Sequence, residues 1–383
     1  MWTGLPAVAL VLLIAQVESS GCGRDETPAA TPSPATPATP APGPPTPQTS
    51  VYTTSDGVRF RVETVATNLS FPWSLNFAPD GRLFVTERPG RVRILDLDAR
   101  TGETALTLDD VFAEGEAGGL GLALDPGFAQ TRRVYVYYTA RTSSGPVNRI
   151  ARYREVNGQL AEGVVLLDNI PAATIHDGGR LKFGPDGLLY ATAGDAANTS
   201  TSQDLASHGG KILRLNPDGS APRTNPFSSF VYSYGHRNPQ GLDWHPQTGE
   251  LWSSEHGATG NDEINVIDAG VNYGWPRIEA SQTMPGMQTP IVFFNPAIAP
   301  SGIAFYRGLR FPLFANNLFV ATLRGSHVLR LRIDGAARRV TAQERLLEGD
   351  FGRIRDIVNG PDGYLYFCTS NGDDRIARIV PAT

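Results

Sequence analysis

Six times between Leu83 and Leu365, a turn built from Pro, Asp, Asn or Gly leads into a short apolar run. The turns are Pro79-Asp80-Gly81, Pro126-Gly127, Pro185-Asp186-Gly187, Pro246-Gln247, Asn316-Asn317 and Pro361-Asp362-Gly363; the runs are LFVTE, VYVYYT, LLYATA, ELWSSE, LFVATL and LYFCTS. Their mean spacing of about 56 residues is too long for one hairpin and right for a four-stranded sheet with its loops. Repeats of this kind, made only of strands and turns, mark a β-propeller. No useful stretch of 3.6-residue period interrupts them, which argues against an α/β arrangement. The expectation is an all-β, six-bladed β-propeller of four-stranded antiparallel blades over residues 51–383. The segment GVRFRVETVAT, Gly57 to Thr67, is expected to join the last blade and close the ring, which removes an exposed edge.

The chain of 383 residues suits one large all-β domain. A net charge of -5 and the lack of any basic block argue against a nucleic-acid partner and leave small ligands open.

The N-terminus reads as an export signal. Leu5 to Val17 is an apolar stretch too short to span a membrane but right for a secretory signal, although the first positive side chain is Arg24. Ser19, Ser20 and Gly21 then lead to Cys22, a pattern that resembles a bacterial lipoprotein cleavage and lipidation site with Ser19 where leucine is preferred. A plain signal peptide cut nearby is the alternative. Residues 1–22 are therefore assigned to the signal and 23–50, almost all Pro, Ala, Thr and Ser, to an extended tether. The expected location is the periplasm or a membrane reached through a lipid on Cys22. Cys368, the only other cysteine, then has no partner, and no disulfide is expected.

Polar, glycine-flanked loops recur at one phase of the repeat: ATIHDGGRLKFGPDG around His176, GHRNPQG with Arg237, Asn238 and Gln240, SEHGATGNDEINVIDAGVNYGWP, TLRGSH around Arg324, and GRIRDIVNGPDG with Arg353 and Arg355. Loops at one end of a propeller channel converge, so these arginines describe a cationic ring that needs an anion.

Taken together and in order, HDGGRLKFGPDGLLYATAGD, GHRNPQGL, EHGATGNDEIN, GVNYGWP, APSGIAFYRG and GRIRDIVNGPDGYLY resemble the soluble pyrroloquinoline-quinone (PQQ) dependent glucose and aldose sugar dehydrogenases, from about Pro72 to the C-terminus. The resemblance implies a six-bladed propeller carrying PQQ and Ca2+. It would oxidise an aldose at C1 and pass electrons to an external acceptor. His176 stands at the family's general-base position and Asp195 at that of the carboxylate that orients it. Arg237 and Asn238 match residues facing the quinone oxygens, and Gln240 a neighbouring position. Arg324, Arg353 and Arg355 match the carboxylate-binding basic residues, and Asp262 a pocket carboxylate. The carbonyls of Gly257 and Ala258 would hold the calcium that also touches PQQ. Glu263 is expected to brace that loop, Tyr273 and Trp275 to pack between blades, and His236 and His245 to be structural.

Some positions depart from the glucose enzymes. Glu116 and His256 stand where those enzymes carry glutamines, Arg324 where a lysine is usual, and Ile175 where an aspartate precedes the base. Asn295 and Ala297 replace larger or hydroxylated groups near the substrate. These changes favour a broad aldose range over glucose. They also keep open a second class of function, a non-catalytic envelope-tethered propeller that binds a glycan or a protein. A lactonase would need side-chain calcium ligands at the channel centre, and no clean set appears.

Overall fold

Each of the six repeated runs becomes the second strand of a blade in the computed structural model, which describes residues 50–382. Among the described residues the sheets are antiparallel, with four strands to a blade and a short fifth on the last, arranged as a six-bladed β-propeller. The innermost strands are Pro72–Phe77, Gly119–Leu124, Leu181–Phe183, Pro239–Trp244, Pro300–Phe305 and Ile354–Asn359, for blades 1 to 6 in order. Each packs beside the innermost strand of the next blade, and the sixth beside the first. Among the described residues helix is confined to Phe128–Thr131 and two short 3-10 turns. The expectations for signal, tether and Cys22 fall on residues outside those described.

The apolar runs lack strand-like alternation because both faces of each blade are covered. In blade 1, Leu83 and Val85 enter a cluster shared with blade 6, while Phe84 between them enters one shared with blade 2. In blade 5, Leu318 and Val320 face blade 4, and Phe319 and Ala321 face blade 6. Cys368 lies in the same kind of position in blade 6, buried and unpaired. The core is thus six clusters, one at each junction between blades.

The Pro-Asp-Gly turns join innermost to second strands at one end of the channel. In blade 1 Asp80 Oδ1 accepts from Arg82 N (3.1 Å), and Gly81 takes the positive φ (90°) that the tight reversal needs. Blades 3 and 6 repeat the device with Asp186 and Asp362. The opposite end is left for longer, polar loops.

Ring closure comes from the chain's two ends. Arg59–Leu69 forms the outer strand of blade 6 and pairs antiparallel with Asp374–Pro381, in register from Phe60 opposite Pro381 to Leu69 opposite Asp374. Phe60 and Val62 are buried in the cluster between blades 5 and 6. Tyr52–Thr53 adds a short fifth strand. A chain beginning at Ser70 would leave Asp374–Pro381 as an unpaired edge and strip Phe60 and Val62 from the core. It is expected to self-associate in light scattering, whereas a stable monomer with the full-length melting temperature would show that closure is dispensable. Phe60→Ala alone should cost about 3–5 kcal/mol in denaturant unfolding.

Candidate active site

Because innermost and second strands are antiparallel, the start of one and the end of the other lie at the same end of the channel, as in the pairings Pro72 with Glu87, Pro239 with Glu255, Pro300 with Thr322 and Ile354 with Thr369. His176, Arg237, Arg353 and Arg355 lie at starts of innermost strands; Asp195, His256, Gly257 and Arg324 follow second strands. The expected site residues therefore converge on one face.

At its centre His176 Nδ1 is 2.7 Å from Asp195 Oδ1. The carboxylate can only accept, so Nδ1 is the donor, which in the neutral imidazole leaves the lone pair on Nε2, and Nε2 has no partner among the described residues. Asp195 is fully buried; its Oδ1 also accepts from Ala197 N (2.9 Å), and its Oδ2 accepts from the Trp275 indole N–H (2.9 Å). His176 adopts the left-handed backbone (φ 63°), and its carbonyl lies so close to Gly194 that a Cβ there would come within 1.9 Å of it. Gly194 is needed for that close approach.

Asn238 is tied down at both ends of its amide. Oδ1 accepts from Gly178 N (3.0 Å), and Nδ2 donates to Glu116 Oε2 (3.1 Å). The same Glu116 oxygen accepts from the backbone N–H of His176 (2.9 Å), so one carboxylate links the imidazole's loop to the amide. Burial opposes the Glu116 charge, yet His256, the His176 N–H and Arg355 hold its carboxyl below the usual value. Burial pushes the His256 imidazole down. Arg237 donates to the His256 carbonyl (3.3 Å) and lies 5.3 Å over the Trp275 ring, and its backbone N–H donates to Glu255 Oε1.

Gln240 supports rather than lines the face: its Oε1 accepts from Arg355 Nη1 (2.7 Å). The guanidinium groups of Arg180 (4.3 Å) and Arg355 (5.6 Å) both lie over the Trp73 ring, and Arg180 pairs with buried Asp356 (3.0 Å). Burial drives the Arg355 guanidinium down to about 10. Trp73 is announced by no sequence signal beyond its place on an innermost strand, and Arg180, inside HDGGRLKFGPDG, has no role read for it from the sequence. Arg88 is also absent from the sequence reading. It follows the second strand of blade 1 in TERPG, the same phase as Arg324, and it stacks on Phe71 (4.7 Å). Burial and the nearby Arg353 push its guanidinium down.

Among the described residues, none of Arg88, Arg237, Arg324, Arg353 and Arg355 has a carboxylate in ion-pair contact. Buried Nε of Arg237 and Arg355, Nη2 of Arg180 and Nε2 of His256 have no partner. Most buried polar atoms are paired, so unpaired nitrogens here, most of them on arginines, fit a bound molecule carrying several carboxylates, as PQQ does.

The Gly257 loop is built by Asp262. Its Oδ1 accepts from Gly257 N (2.9 Å), and its Oδ2 from Ile298 N and Ala299 N (2.7 Å each), so both oxygens are committed to backbone rather than offered to a ligand. The carbonyls of Gly257 and Ala258 accept no hydrogen bond within the described residues. They are oxygen donors fit for a hard cation. No group of three or more His, Cys, Asp or Glu side chains suited to a metal occurs among the described residues. Glu263 accepts from Ala280 N (2.9 Å), and burial beside Glu255 raises its carboxyl to about 8, in keeping with a brace. His236, between Ser233 (2.8 Å) and Glu255 (2.9 Å) and stacked on Tyr273, is structural as expected. Trp275 does more than pack: it touches both Asp195 and Arg237.

Residues 69–378 match the model of the family described as Glucose / Sorbosone dehydrogenase. The chain is 32% identical to the aldose sugar dehydrogenase YliI of Escherichia coli, over 84% of this chain and 92% of that one. It is 34% identical to quinoprotein glucose dehydrogenase B of Acinetobacter calcoaceticus, over 57% of this chain and 53% of that one. The PQQ-bound form of the aldose sugar dehydrogenase of Streptomyces coelicolor superposes with a TM-score of 0.76 at 37% identity, covering 84% of this chain and 98% of that one.

Asp177, next to the dyad, generates a test. It is buried, its Oδ1 accepts from Asn148 Nδ2 (2.9 Å), and its Oδ2 has no partner. Burial, with Glu116 nearby, raises its carboxyl from 3.8 to about 7. Between those values the unfolded chain has released a proton that the native state still holds. The stability it gives is full below 3.8 and lost as pH rises through 7, a slope of about 1.4 kcal/mol per pH unit from this group. Asp177→Asn should flatten that part of the curve in urea titrations; an unchanged slope would show that Asp177 is ionised in the native state.

Proposed function

The chain belongs to the glucose/sorbosone dehydrogenase family, and we propose that it is a PQQ-dependent aldose sugar dehydrogenase that oxidises the sugar at C1 to the lactone. One observation carries the proposal: the His176 and Asp195 pair, with Nε2 bare, sits on the same channel mouth as the unpaired arginines.

His176 Nε2 would take the proton of the C1 hydroxyl as the C1 hydrogen leaves with its electron pair, turning C1 into the lactone carbonyl. Asp195 keeps the ring in the required tautomer and balances the imidazolium that forms. Bound PQQ would supply the ortho-quinone that accepts the hydride. Arg353, Arg355 and Arg324 would hold its carboxylates, and Arg237 and Asn238 its quinone end, where a guanidinium and an amide N–H favour negative charge. Gln240 keeps Arg355 in place. Asp262 shapes the loop whose Gly257 and Ala258 carbonyls would ligate Ca2+. An external acceptor would then reoxidise the cofactor.

The substrate side favours a range of aldoses. Ile175, before the base, is exposed and cannot hydrogen-bond a hydroxyl, and Asn295 and Ala297 replace larger or hydroxylated groups. Residues 1–50 support export, with a lipid on Cys22 as one means of retention.

The test is dye reduction with added PQQ and Ca2+ across a panel of aldoses. Activity should require both additions and disappear on calcium chelation. His176→Ala should lower turnover about 10²–10⁴-fold while PQQ still binds, as seen by absorbance. Arg353→Ala should weaken PQQ binding by about ten- to a hundredfold, the usual loss for one charge-assisted contact. A protein with no affinity for PQQ would sink this reading in favour of a binding propeller.

A further inference from the structure

Asp195 has two oxygens and two tasks. Oδ1 meets His176 Nδ1, and Oδ2 has one partner among the described residues, the indole N–H of Trp275 at 2.9 Å. A carboxylate bound through a single oxygen can turn about its Cβ–Cγ bond and carry the imidazole with it. A second bond to the other oxygen fixes the plane. The opposite relation holds on the ring's face, where the Arg237 guanidinium lies 5.3 Å from the centroid. Asp195 follows the second strand of blade 3, and Arg237 opens the innermost strand of blade 4. One side chain therefore bridges the proton-accepting pair and the arginine at the quinone end, across a junction between blades.

The loop that carries Trp275 is itself anchored to the loop of Asp195. Trp275 N donates to Gly235 O (2.9 Å), and its carbonyl accepts from Gln203 Nε2 (2.7 Å). Gln203 and Asn272 bond each other through both amide groups (2.9 and 3.0 Å). A residue that only filled space would be buried and would need no N–H. Tyr273, two positions earlier, is 4% exposed inside the cluster between blades 3 and 4 and bonds only backbone through its hydroxyl, whereas Trp275 is only partly buried at the rim.

We infer that Trp275 is a positioning residue of the oxidation reaction, its indole N–H fixing the Asp195 carboxylate against His176 and its ring face fixing Arg237. The inference rests on the dehydrogenase reading above and deepens it.

Two variants separate the two contacts in the PQQ- and Ca2+-loaded full chain. Trp275→Phe keeps a ring beneath Arg237 and loses the N–H. Its kcat should fall about tenfold, with KM, PQQ affinity and melting temperature near those of the wild type. Trp275→Leu removes both contacts and should weaken PQQ binding as well. A Phe variant with wild-type kcat overturns the inference. So does one whose loss of kcat is matched by an equal loss of folded protein. If the wild type binds PQQ but oxidises no aldose, the dehydrogenase reading fails on its own. The inference is then judged in the cofactor-free protein from the Trp275 indole ¹H–¹⁵N resonance, which should shift in Asp195→Ala. A stationary resonance overturns it.

Discussion

The pairing of Arg59–Leu69 with Asp374–Pro381 is the constraint on which the rest depends. A propeller is a ring, and a ring left open has a free edge on one blade and an uncovered face on its neighbour. Closure sets the innermost strand of blade 6 beside that of blade 1, where Asp356 accepts from Leu75 N (2.9 Å) and pairs with Arg180. Arg355, adjacent in sequence, is thereby aimed into the channel over Trp73. A deeply buried cation of the site is thus placed by the chain's two ends meeting.

The channel mouth is electrostatically unfinished. Elsewhere arginines find carboxylates: Arg330 pairs with Asp56 (2.8 Å), and Arg307 with Asp243 (2.7 Å). At the mouth they do not, and Glu116, a carboxylate among them, is occupied by the His176 N–H and the Asn238 amide. Desolvating unpaired cations costs stability, and folds retain such arrangements where a ligand repays the cost.

The sequence showed the architecture well, for a physical reason. A strand buried on both faces is an uninterrupted apolar run, and a turn with a fixed backbone demand selects Pro, Asp and Gly, so blade number and phase are written locally. His176, Asp195, Arg237 and the paired Arg353 and Arg355 were legible because several motifs kept one order. What stayed hidden depends on direction rather than identity. Asp262 looks like a pocket carboxylate until its oxygens are seen on three backbone N–H groups. Gln240 turns toward Arg355, and Trp275 turns its N–H toward Asp195. Arg88 belongs to no motif and Arg180 sits inside HDGGRLKFGPDG without a role read for it, and only ring closure and blade packing bring them to the channel.

Trp73 carries the guanidinium groups of both Arg180 and Arg355 over its ring, and all three side chains are nearly inaccessible to water. Anything that pairs with Arg355 therefore changes the charge beside a buried indole. The molecule has its own optical reporter at the base of the cationic cluster, readable as tryptophan fluorescence without a label.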